Sequence, residues 1–162
     1  MKHLLEDAPT LALAIIALCG FALAGALVLE HALGLAPCPM CLMQRIWVIL
    51  VGLVALIGLT HNARWGIYPM LSGTAAIIGG GFSIRQLYLQ SLPPEEVPAC
   101  GPPLEWLLDG PVSDLLVAMT QGTGDCAEVM WSFLGLSIPG WALLGFVAML
   151  AVSALQFRAA LR

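Results

Sequence analysis

Charge is what this sequence has least of. Six Lys/Arg and ten Asp/Glu in 162 residues make 10% charged, where a soluble domain carries about a quarter. With 60% hydrophobic residues and a mean hydropathy of +0.94, the apolar surface is too large for one small domain to bury, so the solvent is lipid. A net charge of −4 without any basic run excludes a nucleic-acid binder. The segment 91–136 has no Lys or Arg at all, although it holds seven of the ten acids. Internal repeats and low-complexity tracts are also missing.

Four stretches contain no Asp, Glu, Lys or Arg: Ala8–Leu29, Ile46–Ala63, Trp65–Ile84 and Val129–Phe157. Each reaches the length of about 18 residues that a spanning helix needs. The expected fold is all-α, a four-transmembrane-helix bundle forming one membrane domain over 1–162. Its helices fall near 9–30, 40–60, 66–89 and 138–158, with a long loop over 91–136. The fourth run is too long for one helix, and Pro139 marks where its span begins. The first segment reads as a span and not a cleaved leader, because Glu6 and Asp7 offset Lys2 and the apolar run continues to Leu29.

Positive charge sets the orientation. Lys2, Arg64, Arg158 and Arg162 share one side, which is then cytoplasmic with both termini; the acidic loop faces outward. Arg45 and Arg85 break the rule from the outer ends of the second and third helices. In the loop, Pro93-Pro94 and Pro102-Pro103 stop helix. Beyond Pro111, the apolar residues Val112, Leu115, Leu116 and Met119 recur at helical spacing. They suit a short helix lying either on the membrane surface or against the protein.

Topology sorts the five cysteines. Cys38 and Cys41 open the second helix, Cys100 and Cys126 lie in the outer loop, and Cys19 sits alone within the first helix as a small hydrophobe. Four cysteines on an oxidising side are disulfide candidates, structural or redox-active. A zinc site normally shows two closely spaced pairs, and only 38/41 has that spacing, so no metal is expected.

The segment "PCPMCLMQR" (37–45) carries the chemistry. Cys38 reads as an N-cap and Pro39 as the first helical residue, where its missing N–H costs nothing. Cys41 then lies among the free N–H groups of the first turn, at the positive end of the helix dipole, which favours thiolate. Arg45 follows one turn later on the same face, able to stabilise that thiolate or polarise an oxygen of an electron acceptor. Snorkelling to lipid headgroups is the plainer use of such an arginine. His31 reads as interfacial, and His3 and His61 as cytoplasmic.

"LEHALGLAPCPMCLMQR" and "GDCAEVMWSFLGLSIPGW" resemble the signatures of the DsbB family, and the resemblance covers nearly the whole chain. It implies a bacterial inner-membrane enzyme that reoxidises a periplasmic DsbA-like thiol oxidant and passes two electrons to a membrane quinone, ubiquinone or menaquinone. It further implies that Cys100–Cys126 is the disulfide attacked by DsbA, with Cys100 entering the mixed disulfide. Cys126 then exchanges with Cys38, and Cys41 is released as a thiolate against the quinone. Arg45 matches the family's quinone-site arginine, with Gln44 beside it. In "SIRQLYLQ", Gln86 holds a place where many members have histidine; it can donate a hydrogen bond but supplies no proton readily, and Arg85 is its neighbour. A vitamin K epoxide reductase-like enzyme would carry its Cys-x-x-Cys late, and a tetraspanin-type scaffold would carry "CCG"; neither feature is present.

Overall fold

The computed structural model describes residues 7–102 and 104–161, apart from the side chains of Leu104, Glu105 and Leu108. Lys2, His3, Pro103 and Arg162, which entered the charge, histidine and loop readings, lie outside the described residues.

Four long helices dominate: α1 (Ala8–His31), α2 (Pro39–His61), α3 (Ile67–Ser91) and α6 (Ile138–Ala160). With 23 to 25 residues each and about 1.5 Å of rise per residue, each is long enough to cross the apolar layer. Their outward faces are apolar too: Phe21, Leu53, Ile57, Ile77 and Val147 are all exposed. A helix that is apolar all round, with its outer face bare, belongs in lipid. The chain is a multi-pass membrane protein with an all-α bundle fold.

The bundle closes around Ile15 and Cys19 of α1, Val48, Val51 and Ala55 of α2, Ala75 and Ala76 of α3, and Phe146 and Met149 of α6. Small residues let the backbones approach, since lipid offers no hydrophobic drive for helix association. The closest approach is at Gly79, where a Cβ would collide with the Phe146 ring and lie 2.9 Å from the Trp47 Cβ. Trp47 in turn stacks on Phe82, with ring centroids 6.5 Å apart.

Between α3 and α6 the chain forms α4 (Leu104–Asp109), α5 (Val112–Gln121), a single 3-10 turn (Gly124–Ala127) and a two-residue hairpin, β1 (Ser132–Phe133) with β2 (Leu136–Ser137). Helix α5 starts where its periodicity predicts, but its apolar stripe is not buried as a unit. Ala118 and Met119 pack inward, whereas Val112, Leu116 and Val117 stay exposed. The hairpin was not foreseen. Its turn places Leu134 and Gly135 at φ 51° and 79°, the two successive positive φ values of a tight hairpin turn. Trp141 ties it to α6 by donating its indole N–H to the Phe133 carbonyl at 3.1 Å. Pro139 stands in the first turn of α6, as read from the sequence.

Candidate active site

The site is built on the first turn of α2. Cys38 is the N-cap, and its Sγ accepts the Cys41 backbone N–H at 3.3 Å. Pro39 follows at a position that needs no donor. One turn of helix separates the two side chains, and their sulfurs stand 2.8 Å apart. Cys38 is buried and Cys41 half-buried.

Cys126 arrives from the loop. The 3-10 turn packs on α3 and on the start of α2, burying Cys126 in one cluster with Cys38, Met40 and Leu89. Its sulfur stands 3.8 Å from the Thr123 hydroxyl, and the Cys38 thiol and the backbone N–H groups of Thr123 and Met40 face it as donors. Those bonds, the Cys38 bond foremost, outweigh burial and pull the Cys126 thiol down to about 6. The Met40 N–H belongs to the amino end of α2, so the helix terminus expected to act on Cys41 acts on Cys126 as well. Cys38 moves the opposite way: its bonds to Cys126 and then Cys41, together with burial, hold it protonated well above an ordinary thiol.

Cys100 is the exposed member. Residues 98–100 run across Gly124, whose N–H donates to the Ala99 carbonyl at 3.1 Å. A Cβ on Gly124 would meet the Pro98 oxygen at 2.6 Å and the Cys100 sulfur at 3.1 Å. Glycine is required there by close approach. The Asp125 charge beside it, which also accepts the Cys100 thiol hydrogen, pushes that thiol up. Cys19 lies far off in the bundle core, its sulfur 3.8 Å from the Met149 sulfur.

Two carboxamides complete the inner site. Gln44 Nε2 donates to Gln86 Oε1 at 2.7 Å, which turns Gln86 Nε2 toward Cys38 Sγ at 3.3 Å and Cys41 Sγ at 3.5 Å. Both side chains are buried. A narrow cleft leads from Cys41 and Gln86 past Gln90 to Trp131, Ile138 and Pro139.

The arginines point elsewhere. Arg45 forms an ion pair with Glu30 of α1 and donates to the Ala26 carbonyl at 3.3 Å. Its hydrogen bonds therefore run to α1 and not to Cys41. Arg85 donates to the Gln121 carbonyl at 3.1 Å, capping the carboxyl end of α5. Sequence reading missed Glu30, Asp125 and Gln90. Gln90 anchors the loop to α3, accepting from Ser137 at 2.7 Å and donating to the Glu128 carbonyl at 3.4 Å. A signal for it existed: Gln86 and Gln90 are one turn apart at the end of an apolar helix.

The family model of disulfide bond formation protein DsbB matches residues 8–156. The chain belongs to the DsbB family. Among curated relatives, disulfide bond formation protein B of Hahella chejuensis is 47% identical over 83% of this chain and 87% of its own length. The protein of the same name from Saccharophagus degradans is 46% identical over 90% of each chain. That from Methylococcus capsulatus is 47% identical over 86% and 87%. This DsbB-family chain is thus a membrane disulfide oxidoreductase of the disulfide bond formation machinery.

Proposed function

We propose that the protein reoxidises a DsbA-type thiol oxidant in the periplasm and delivers the electrons to a membrane quinone, ubiquinone or menaquinone. DsbA, DsbB and quinone together keep the bacterial periplasm oxidising, and membership of the DsbB family is what brings that pathway to this chain. The observation that carries the reading is the meeting of Cys126 with Cys38 and Cys41 at the end of the bundle. A loop cysteine touching a membrane-edge pair is what a relay from a soluble dithiol to a lipid-soluble acceptor requires.

In the proposed sequence, a DsbA thiolate attacks Cys100 of the Cys100–Cys126 disulfide. A new S–S bond to Cys100 forms and Cys126 leaves with the electron pair. The Thr123 and Met40 N–H groups remain at the Cys126 sulfur while Cys38 is tied up in its own disulfide, and the Asp125 carboxylate raises Cys100; both fit that direction, because the sulfur with the lower thiol pKa leaves faster. The Cys126 thiolate attacks Cys38, the Cys38–Cys41 bond breaks, and Cys41 becomes the thiolate. The second DsbA thiolate then attacks the DsbA sulfur of the mixed disulfide and Cys100 leaves. The Cys100 thiolate attacks Cys126, the Cys126–Cys38 bond breaks, and the Cys100–Cys126 disulfide is restored with the electron pairs now on Cys38 and Cys41. Cys41 is left facing the cleft.

Cys41 and the Gln86 carboxamide line the cleft beside the apolar Trp131, Ile138 and Pro139, a thiol and a polar group against an apolar wall as a quinone ring would need, while Gln44 and Arg45 stand behind them on α2. Bound, a quinone supplies a sink for two electrons and two protons. Arg45 is the proposed cation toward its ring oxygen, with Gln44 and Gln86 as the polar floor and Arg85 farther out. DsbA is a strong oxidant at about −120 mV, so its oxidation needs a high-potential sink, which a glutathione pool does not offer. The loop is assigned to the periplasm and both termini to the cytoplasm, in a bacterial inner membrane.

The test is to add reduced DsbA to purified protein with ubiquinone or menaquinone analogues and follow quinone absorbance. Quinone consumption that stops in Cys41→Ser is expected. Oxidation of DsbA without quinone consumption would overturn the acceptor assignment, and no DsbA oxidation at all would overturn the partner.

A further inference from the structure

Gln44 and Gln86 were both expected to face the quinone, yet their hydrogen bonds run inward. A carboxamide has one acceptor oxygen and a nitrogen carrying two donor hydrogens. Gln86 Oε1 accepts from Gln44 Nε2 at 2.7 Å and, at a long 3.8 Å, from the Cys41 thiol, while its Nε2 faces Cys38 Sγ at 3.3 Å and Cys41 Sγ at 3.5 Å; once Cys41 loses its proton only the Nε2 contact holds it. The residues are only 3% and 5% exposed, which makes the arrangement hard to undo. A buried amide turned the wrong way would leave a donor facing a donor and forfeit a hydrogen bond that water cannot replace.

We propose that Gln86 is the thiolate-stabilising catalytic residue of the inner cysteine pair, and that Gln44 is the positioning residue that fixes which end of its amide meets the sulfurs. When Cys126 attacks Cys38, the new Cys38–Cys126 bond forms, the Cys38–Cys41 bond breaks, and the electron pair passes to Cys41 Sγ. Charge appears on that sulfur with no proton transfer. Gln86 Nε2 already stands 3.5 Å from it, with two N–H groups to share between Cys41 and Cys38, so little reorganisation is needed as the charge develops. Arg45, the cation nearest in sequence, is engaged with Glu30 and Ala26 on α1. A neutral donor therefore does at the sulfur what a cation was expected to do. With no titratable proton of its own, Gln86 gives this help equally at any pH near neutral.

The inference rests on the exchange reading above, because it concerns the thiolate which that exchange releases. Its test uses neither DsbA nor quinone, so the two can fail separately. Fully reduced protein in quinone-free detergent is alkylated with iodoacetamide at pH 7, and modification at each cysteine is followed by mass spectrometry. Gln86→Met, which keeps length and loses the donor, should slow Cys41 alkylation about tenfold, since a hydrogen bond to a charged acceptor is worth one or more pH units of thiolate stability. Cys126, which Gln86 does not touch and whose own donors are the Cys38 thiol first and then the Thr123 and Met40 N–H groups, should change less than twofold. Gln86→His, which restores an N–H, should recover most of the Cys41 rate. Gln44→Met makes no change at the sulfurs themselves, yet should also slow Cys41 by releasing the amide to rotate; it serves as the test if Gln86→Met does not fold. The neighbouring titratable groups Cys38, Cys126, Asp125 and Glu128 stay in place throughout. A Cys41 rate that is unchanged or faster in folded Gln86→Met, or in Gln44→Met where that variant must stand in, would overturn the proposal. An equal slowing of Cys41 and Cys126 would also overturn it, by showing general disruption of the site.

Discussion

The spacing of Cys38, Cys41 and Arg45 was legible in the sequence, but the partners of these side chains were not. Arg45 shares a helix with Cys41 and pairs with Glu30 across the α1–α2 boundary, a contact set by helix packing and not by local spacing. If it turns to a quinone oxygen during turnover, Arg45→Ala should raise the quinone KM and lower kcat. Removal of one preorganised donor costs on the order of 3 kcal/mol, about a hundredfold in rate. Arg45→Lys should keep part of the activity, since charge survives while the planar fork is lost. Steady-state kinetics against quinone concentration decide this; an unchanged KM in the alanine variant returns the arginine to a purely structural ion pair. The loop thiols allow a second test. In reduced protein, the Cys126 thiol lies at about 6, drawn down chiefly by the Cys38 hydrogen bond. Its alkylation should therefore rise with pH through about 6 and be nearly level by pH 8, a region where an ordinary thiol is still climbing. Cys100 should behave oppositely, titrating above the ordinary range because of the Asp125 carboxylate. Asp125→Asn should then speed Cys100 alkylation at pH 7. Profiles for Cys100 and Cys126 that coincide would contradict the asymmetry assigned to them.

At the scale of elements, long charge-free runs announced the four spans, because lipid tolerates nothing else over that length. Prolines announced where α2 and α6 begin. The hairpin at 132–137 was hidden for the opposite reason: two-residue strands have no periodicity to read, and the turn uses Leu134 at positive φ, where glycine or asparagine is usual. Which helix faces which was hidden as well. Gly79 is one of many small residues in α3, and only the packing shows that it admits the Phe146 ring and Trp47. Gly79→Val should force α3 away from α6 and α2. Overpacking of this kind costs about 1–3 kcal/mol, visible as a lower Tm of the detergent-solubilised protein. Gly81→Val on the same helix, with open space where its Cβ would lie, is the control and should melt close to the parent. Equal Tm values for the two variants would contradict the packing described here.

The whole molecule is polarised along its long axis. All four cysteines outside the core gather at one end, together with the loop. The His61, Trp65 and Tyr68 rings cluster at the other end. The proposed orientation puts the cysteine end in the periplasm, on the asymmetry of Lys and Arg. Reporter fusions at either terminus should score as cytoplasmic. A periplasmic signal from either one would place the exchange site in a reducing compartment, where a disulfide relay of this kind does not persist.

Composition alone decided the solvent, and with it the class of fold: so few charges over so many apolar residues leave a lipid-embedded helical bundle as the stable answer. Local sequence also decided the N-cap at Cys38 and the first turn that holds Cys41, because capping depends on a few adjacent residues. Only the tertiary structure decided that Cys126 reaches the amino end of α2, that Gln44 aims Gln86 at the sulfurs, and that Arg85 caps α5. The reason is that these helices are apolar on every side. A soluble helix reveals its inner face by a stripe of apolar residues, but a lipid-facing side chain and a core side chain look alike in sequence. Rotation of each helix about its axis, and hence every contact between helices, is fixed by packing of shapes that the pattern of residue types does not display.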